Sequence, residues 1–104
     1  MARLVAIYKT PADIEAFDKH YFGTHIPLAK KMPGFRKYEV SAGPISTQVG
    51  PSDIYLIGAV YFDDLAAMQH AFASPEGQAC AADRQIFAPD SSGVQIFIFD
   101  TNEV

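Results

Sequence analysis

Ile54-Tyr55-Leu56-Ile57-Gly58-Ala59-Val60-Tyr61-Phe62 is a run without a single charge. Its β-branched and aromatic residues predict a strand. In an antiparallel sheet with helices on one side, alternate residues meet water and should be polar. Here both alternating sets are apolar apart from two phenol hydroxyls. Ile96-Phe97-Ile98-Phe99 repeats the pattern near the other end of the chain. A second face this apolar needs a cover, and the chain has no third layer to supply one. A second copy of the same sheet is the economical expectation, and a hetero-partner in the same role is the alternative.

The elements around this strand follow from local signals. Arg3 to Tyr8 reads as a first strand. Thr10 and Pro11 predict a helix start, with Thr10 as the cap and proline at the first helical position. At about 100° per residue, Ile14, Phe17, Tyr21, His25, Leu28 and Met32 fall in one sector of roughly 80°. Pro33-Gly34 ends the helix. Pro27 lies inside it, lacks an N–H and clashes with the Gly23 carbonyl, which predicts a kink near residues 23–26. Phe35 to Ser41 alternates like a half-exposed strand, and Ala42 to Asp53 reads as a loop. Asp63 caps a helix from Asp64 to about Phe72. Ser74-Pro75 opens another, to about Phe87, before a last strand, Val94 to Phe99. The order predicts an α+β, ferredoxin-like βαββαβ protomer with an antiparallel four-stranded sheet.

At 104 residues the chain is read as a single domain, 1–104. Its net charge of −4 argues against a nucleic-acid partner and against an acidic membrane surface. The longest apolar run is far short of the roughly 20 residues of a membrane span. The one cysteine, Cys80, allows no internal disulfide. With no basic-then-apolar leader at Met1 to Lys9, a cytoplasmic location is the expectation.

His20-Tyr21-Phe22-Gly23-Thr24-His25-Ile26-Pro27-Leu28 resembles the His-Tyr-x-x-x-His-x-Pro-Leu core of the EthD family. Met32-Pro33-Gly34-Phe35-Arg36-Lys37-Tyr38 and Ser74-Pro75-Glu76-Gly77-Gln78 resemble two further stretches of it. The resemblance runs from about residue 3 to about residue 100. It implies a dimeric α/β barrel, made of two ferredoxin-like protomers with facing sheets. It also implies a role in bacterial breakdown of small organic compounds, in the company of an oxidative pathway. Some members are placed with oxidoreductases. Related barrels include a histidine-dependent lactone isomerase and cofactor-independent monooxygenases, so the fold leaves the chemistry open.

His25 is the candidate catalytic residue. It lies on the inward stripe beside the expected kink, and an imidazole gives or takes a proton near neutrality. The competing reading is a core histidine with both nitrogens satisfied. His20 stands about 140° around a straight helix from His25, so it belongs to a pocket rim, an interface or a second role that only a kink would permit. Tyr21, Tyr38, Tyr55 and Tyr61 are candidates for holding a substrate oxygen, with ordinary packing as the alternative. Tyr55 and Tyr61 are expected on one face of their strand because their spacing is even. Gly58 and Ala59 between them leave space for a ligand or for close approach of a helix.

Arg36 and Arg84 are read as solvated charges, Cys80 as a small core residue and His70 as exposed. No His-x-x-x-His pair or cysteine cluster marks a metal site, and no cofactor motif is found. Three functions stay open. One is an enzyme for a small cyclic or aromatic metabolite, with isomerisation, dehydration, decarboxylation or cofactor-free oxygenation as its chemistry. Another is an accessory or ligand-sequestering dimer of a degradation pathway. The third is a purely structural dimer.

Overall fold

The computed structural model describes residues 1–104. The sheet is built from strand β1 (Ala2–Lys9), β2 (Lys37–Val40), β5 (Ile54–Phe62) and β6 (Gln95–Phe99). Two short strands, β3 (Ser46–Thr47) and β4 (Gly50–Pro51), pair within the predicted loop. The large sheet runs β2-β5-β1-β6 with every neighbour antiparallel. Helices α1 (Ile14–His20), α2 (Ile26–Ala29), α3 (Leu65–Ala73) and α4 (Pro75–Phe87) cover one side of it. This is the expected α+β, ferredoxin-like order.

The caps follow the sequence with small shifts of position. Asp13, rather than Thr10, caps α1 by accepting from the Ala16 N–H at 3.0 Å. Asp64, rather than Asp63, caps α3 through the Ala67 N–H at 2.7 Å. Ser74 caps α4 as expected. Asp63 instead takes a two-pronged bond from the exposed Arg36 guanidinium, at 2.8 and 2.7 Å.

The predicted kink is a π-helical turn over Tyr21–His25 that joins α1 to α2. The Ile26 N–H donates five residues back, to the Tyr21 carbonyl. Widening the turn relieves the clash that Pro27 would have with the preceding carbonyl, and it inserts one residue into the helical phase. The inward stripe therefore slips. Phe17, Tyr21, His25 and Met32 are buried as expected, but Ala29 takes the place predicted for Leu28, and Ile14 is exposed.

Alternation assigns Leu4, Ala6, Leu56, Gly58, Val60 and Phe62 to the helix side. Phe62 anchors one cluster with Met32, Val60 and Met68, and Tyr21 anchors the other with Tyr8, Phe17 and Leu56. The opposite side carries Val5, Ile7, Ile57, Ala59, Phe97 and Phe99. No element of the chain covers it, and Phe97 and Phe99 are 49% and 40% exposed.

Tyr55 and Tyr61 do not share a face. The pairing of β1 with β5 jumps from Tyr8–Leu56 to Lys9–Ile54, which leaves Tyr55 as the extra residue of a bulge. A bulge re-aims the side chain it carries. Tyr55 turns to α1, where its hydroxyl donates to Asp18 at 2.7 and 2.8 Å and its ring meets Phe17 edge-on. Tyr61 stays on the open side.

Candidate active site

The helix side of the sheet holds a cavity of about 220 Å³. Its floor is Leu4, Ala6 and Tyr8 of β1, Gly58 and Val60 of β5, Tyr38 of β2 and Ile96 of β6. Its roof is His25, Ala29 and Met32 from the first helical segment and Phe72, Gly77, Cys80, Ala81 and Arg84 from α3 and α4. The lining is mainly apolar, with few polar groups, as in small-molecule sites generally.

His25 is 6% exposed. Its Nδ1–H donates to Asp83 Oδ2 at 3.0 Å. A carboxylate only accepts, so the neutral ring carries its proton on Nδ1 and a lone pair on Nε2. Cys80 Sγ, at 3.9 Å, is the hydrogen-bonding partner of Nε2, at the long limit for sulfur. Nδ1 is thus firmly paired, and Nε2 is held only by this long thiol contact. Burial pushes the His25 pKa below its ordinary value of 6.5; the bond and charge of Asp83 oppose this, and the charges of His20 and Arg84 add to it. A buried, neutral imidazole with a weakly held nitrogen at a cavity wall is able to accept a proton there.

The same carboxylate holds His20, whose Nε2–H donates to Asp83 Oδ1 at 2.8 Å. On a straight α-helix the two imidazoles would diverge. Five residues nearly complete the wider π turn, so both rings reach α4 on the same side. Asp83 was missed in the sequence, although a signal was present. Gly77, Cys80, Arg84 and Phe87 form the inward stripe of α4, and Asp83 flanks it beside Cys80 and Phe87, an acid at the edge of a face that should be apolar.

Tyr38 and Tyr21 share a hydrogen bond between their hydroxyls at 2.6 Å. Tyr38 lines the cavity, and Tyr21 lies behind it, fully buried and stacked on His25 with 5.7 Å between ring centres. Burial pushes the Tyr38 hydroxyl up to about 12 and raises that of Tyr21 further. Gly58 makes this arrangement possible, because a Cβ there would stand 2.5 Å from the Tyr21 hydroxyl. Gly58 also lines the cavity, so the space it leaves borders both the cavity and the close-packed first helical segment.

Cys80 lines the cavity, and burial pushes its thiol up to about 11, so it is a thiol and not a thiolate near neutrality. Arg84 is no solvated charge. It lines the cavity while its Nη1–H groups donate to the Ala88 carbonyl at 3.0 Å and Asp90 at 2.9 Å. His70 is exposed, as expected.

Tyr55 and Tyr61 lie outside the cavity. Tyr61 donates to Glu39 at 2.5 Å, beneath the cations of Arg3 and Lys37 at 4.9 and 4.5 Å from its ring centre. No group of three or more His, Cys, Asp or Glu side chains is arranged to hold a metal ion, and no helix is long and apolar enough to cross a membrane.

A ferredoxin-like sheet roofed by helices, with a histidine at the wall of an apolar cavity, defines a class of small α+β domains. Within that class the chain belongs to the EthD family: the EthD domain model matches residues 9–91. It is 39% identical over 105 residues to an uncharacterised 11.0 kDa protein of Rhodococcus erythropolis encoded between thcB and thcC, covering 100% of this chain and 98% of that one. An EthD-family crystal structure from Bacillus halodurans is 36% identical, with a TM-score of 0.85 over 98% of this chain and 99% of that one. SnoaB of Streptomyces nogalater, a cofactor-independent oxygenase, shares the fold with a TM-score of 0.67 at 14% identity, over 99% of this chain and 94% of that one.

Proposed function

We propose that the chain is a small-molecule enzyme of catabolism that works by proton transfer in the cavity between its first helical segment and its sheet. The weakly held Nε2 of buried His25, at the cavity wall and with only Cys80 Sγ at 3.9 Å, carries this reading. His25 takes a proton from a small cyclic or aromatic metabolite and can return it elsewhere on the molecule. Tyr38, held by Tyr21, positions a substrate oxygen. Isomerisation, dehydration and cofactor-free oxygenation can begin from such a step, and decarboxylation uses the reverse one, delivery of a proton to the carbon that has lost CO2. The fold shared with a cofactor-independent oxygenase is in keeping with chemistry that brings no cofactor.

The working unit we propose is a homodimer joined through the open sheet face. Two observations support it. Phe97 and Phe99 are exposed there, and Arg3, on the same face, has a buried Nε with no partner.

His25→Gln, assayed on a confirmed substrate, is expected to lower turnover by about 10²–10⁴-fold while the fold is kept. Unchanged turnover would remove His25 from the chemistry. The apolar lining favours one second reading, an accessory protein that sequesters a pathway intermediate. That reading expects His25→Gln to keep its affinity for the ligand, with no product from either protein.

A further inference from the structure

The Asp83 carboxylate is 7% exposed and bonds two imidazoles, one on each oxygen. A single bond to His25 would be enough to orient that ring. The second bond ties in His20, whose side chain is 30% exposed. His20 Nδ1 has no protein partner and is not among the buried unpartnered atoms, so solvent reaches it. The arrangement thus spans from the cavity wall to the surface. Its three members come from the end of α1, the π turn and α4.

The charges around it decide how it behaves. His25 is faced by Asp83, Cys80 and Arg84 of α4, by Tyr38 of β2, by Tyr21 of its own turn and by His20. Asp83 is the one carboxylate among them. It can balance one imidazolium, and a second imidazolium held by the same group is opposed by the first at low local dielectric.

We propose that His20, Asp83 and His25 act as one proton-sharing unit, in which a single positive charge moves between the cavity ring and the solvent ring. This rests on His25 being the base. The step starts from the form of the unit in which the extra proton sits on the solvent-side ring, His20. When a substrate bond to hydrogen breaks, an N–H bond forms at His25 Nε2, and His20 releases its Nδ1 proton to water. One proton enters the unit and one leaves. The carboxylate stays ionised, both bonds to it persist and the unit's own net charge is unchanged, while the negative charge left on the substrate faces the His25 imidazolium. The reverse sequence supplies the proton that completes the product. His25 is then the catalytic residue, and His20 and Asp83 are positioning residues that act through it.

The test is a pH titration of the full chain with ¹⁵N-labelled histidine, read by NMR, with exposed His70 as the internal reference. In the wild type, His20 and His25 are expected to show two inflections each, at matching pH values. His20→Gln should leave His25 a single inflection moved to higher pH, and by reciprocity His25→Gln should do the same to His20. Asp83→Asn should move His25 to lower pH and abolish the shared inflections. Single inflections in the wild type, each unmoved when the other histidine is replaced, would overturn the proposal and leave Asp83 as a clasp between helices. The outcome is independent of turnover, so loss of coupling here and an active His25→Gln protein are separate failures.

Discussion

The two faces of the sheet come from the same strands and end in opposite conditions. On β5, Leu56 and Val60 are 5% and 6% exposed beneath the helices. Their neighbours Ile57 and Ala59 point the other way and are only partly buried. Over β2, β5 and β1 the helix face is covered by the chain's own helices and holds the cavity, while Ile96 and Ile98 at the β6 edge stay exposed. On the open face the polar groups gather at one end, around Tyr61. Burial therefore has two outcomes in this molecule. On one face it lowers the pKa of His25, and on the other it is left incomplete within the single chain.

The largest effect should come from attacking the open face. Phe97→Asp places a charge at the centre of the proposed contact. It should raise the dimer dissociation constant by about a hundredfold or more. Light scattering at micromolar concentration would then fall from twice 11.4 kDa to a single chain. A wild type that is already monomeric there would break the comparison. On the helix face, Gly58→Ala forces the Tyr21 hydroxyl off the sheet, and its ring is locked among Tyr8, Phe17 and Phe87. Denaturant unfolding should show a loss of about 3 kcal/mol. Ala59→Val, one residue on and on the open face, should change monomer stability by less.

Tyr38→Phe removes the partner of the buried Tyr21 hydroxyl, with an expected loss of about 1 kcal/mol in the same assay. The pH effect should be smallest. Burial holds His25 below its ordinary value of 6.5, so below that pH the unfolded chain binds a proton that the folded chain does not. Stability should be complete above about 6.5, fall as the pH drops toward the folded value, and level off once folded His25 is protonated. Urea midpoints at a series of pH values would show this, and His25→Gln should flatten the curve.

Much of this contrast was legible in the sequence, because side-chain alternation is a local property. The run Ile54–Phe62, the caps at the helix starts and the disruptive Pro27 gave the architecture. What escaped was set by small departures from ideal periods. A single bulge residue turned Tyr55 from the open face to α1. A single widened turn replaced Leu28 with Ala29 and brought His20 and His25 onto one carboxylate. Arg84 and Asp83 were obscured because contact across helices is not a local property, although an acid at the edge of the inward stripe of α4 was a usable mark. His25, singled out for combining the stripe, the kink and a titratable ring, stands at the cavity wall.

The central claim is that a weakly held imidazole nitrogen faces the cavity, and two-bond ¹H–¹⁵N NMR of histidine-labelled protein at neutral pH tests it most directly. The account predicts that His25 is neutral with its proton on Nδ1, and that the Nε2 signal moves when a small cyclic compound fills the cavity. A His25 carrying its proton on Nε2, or remaining an imidazolium at that pH, would contradict it.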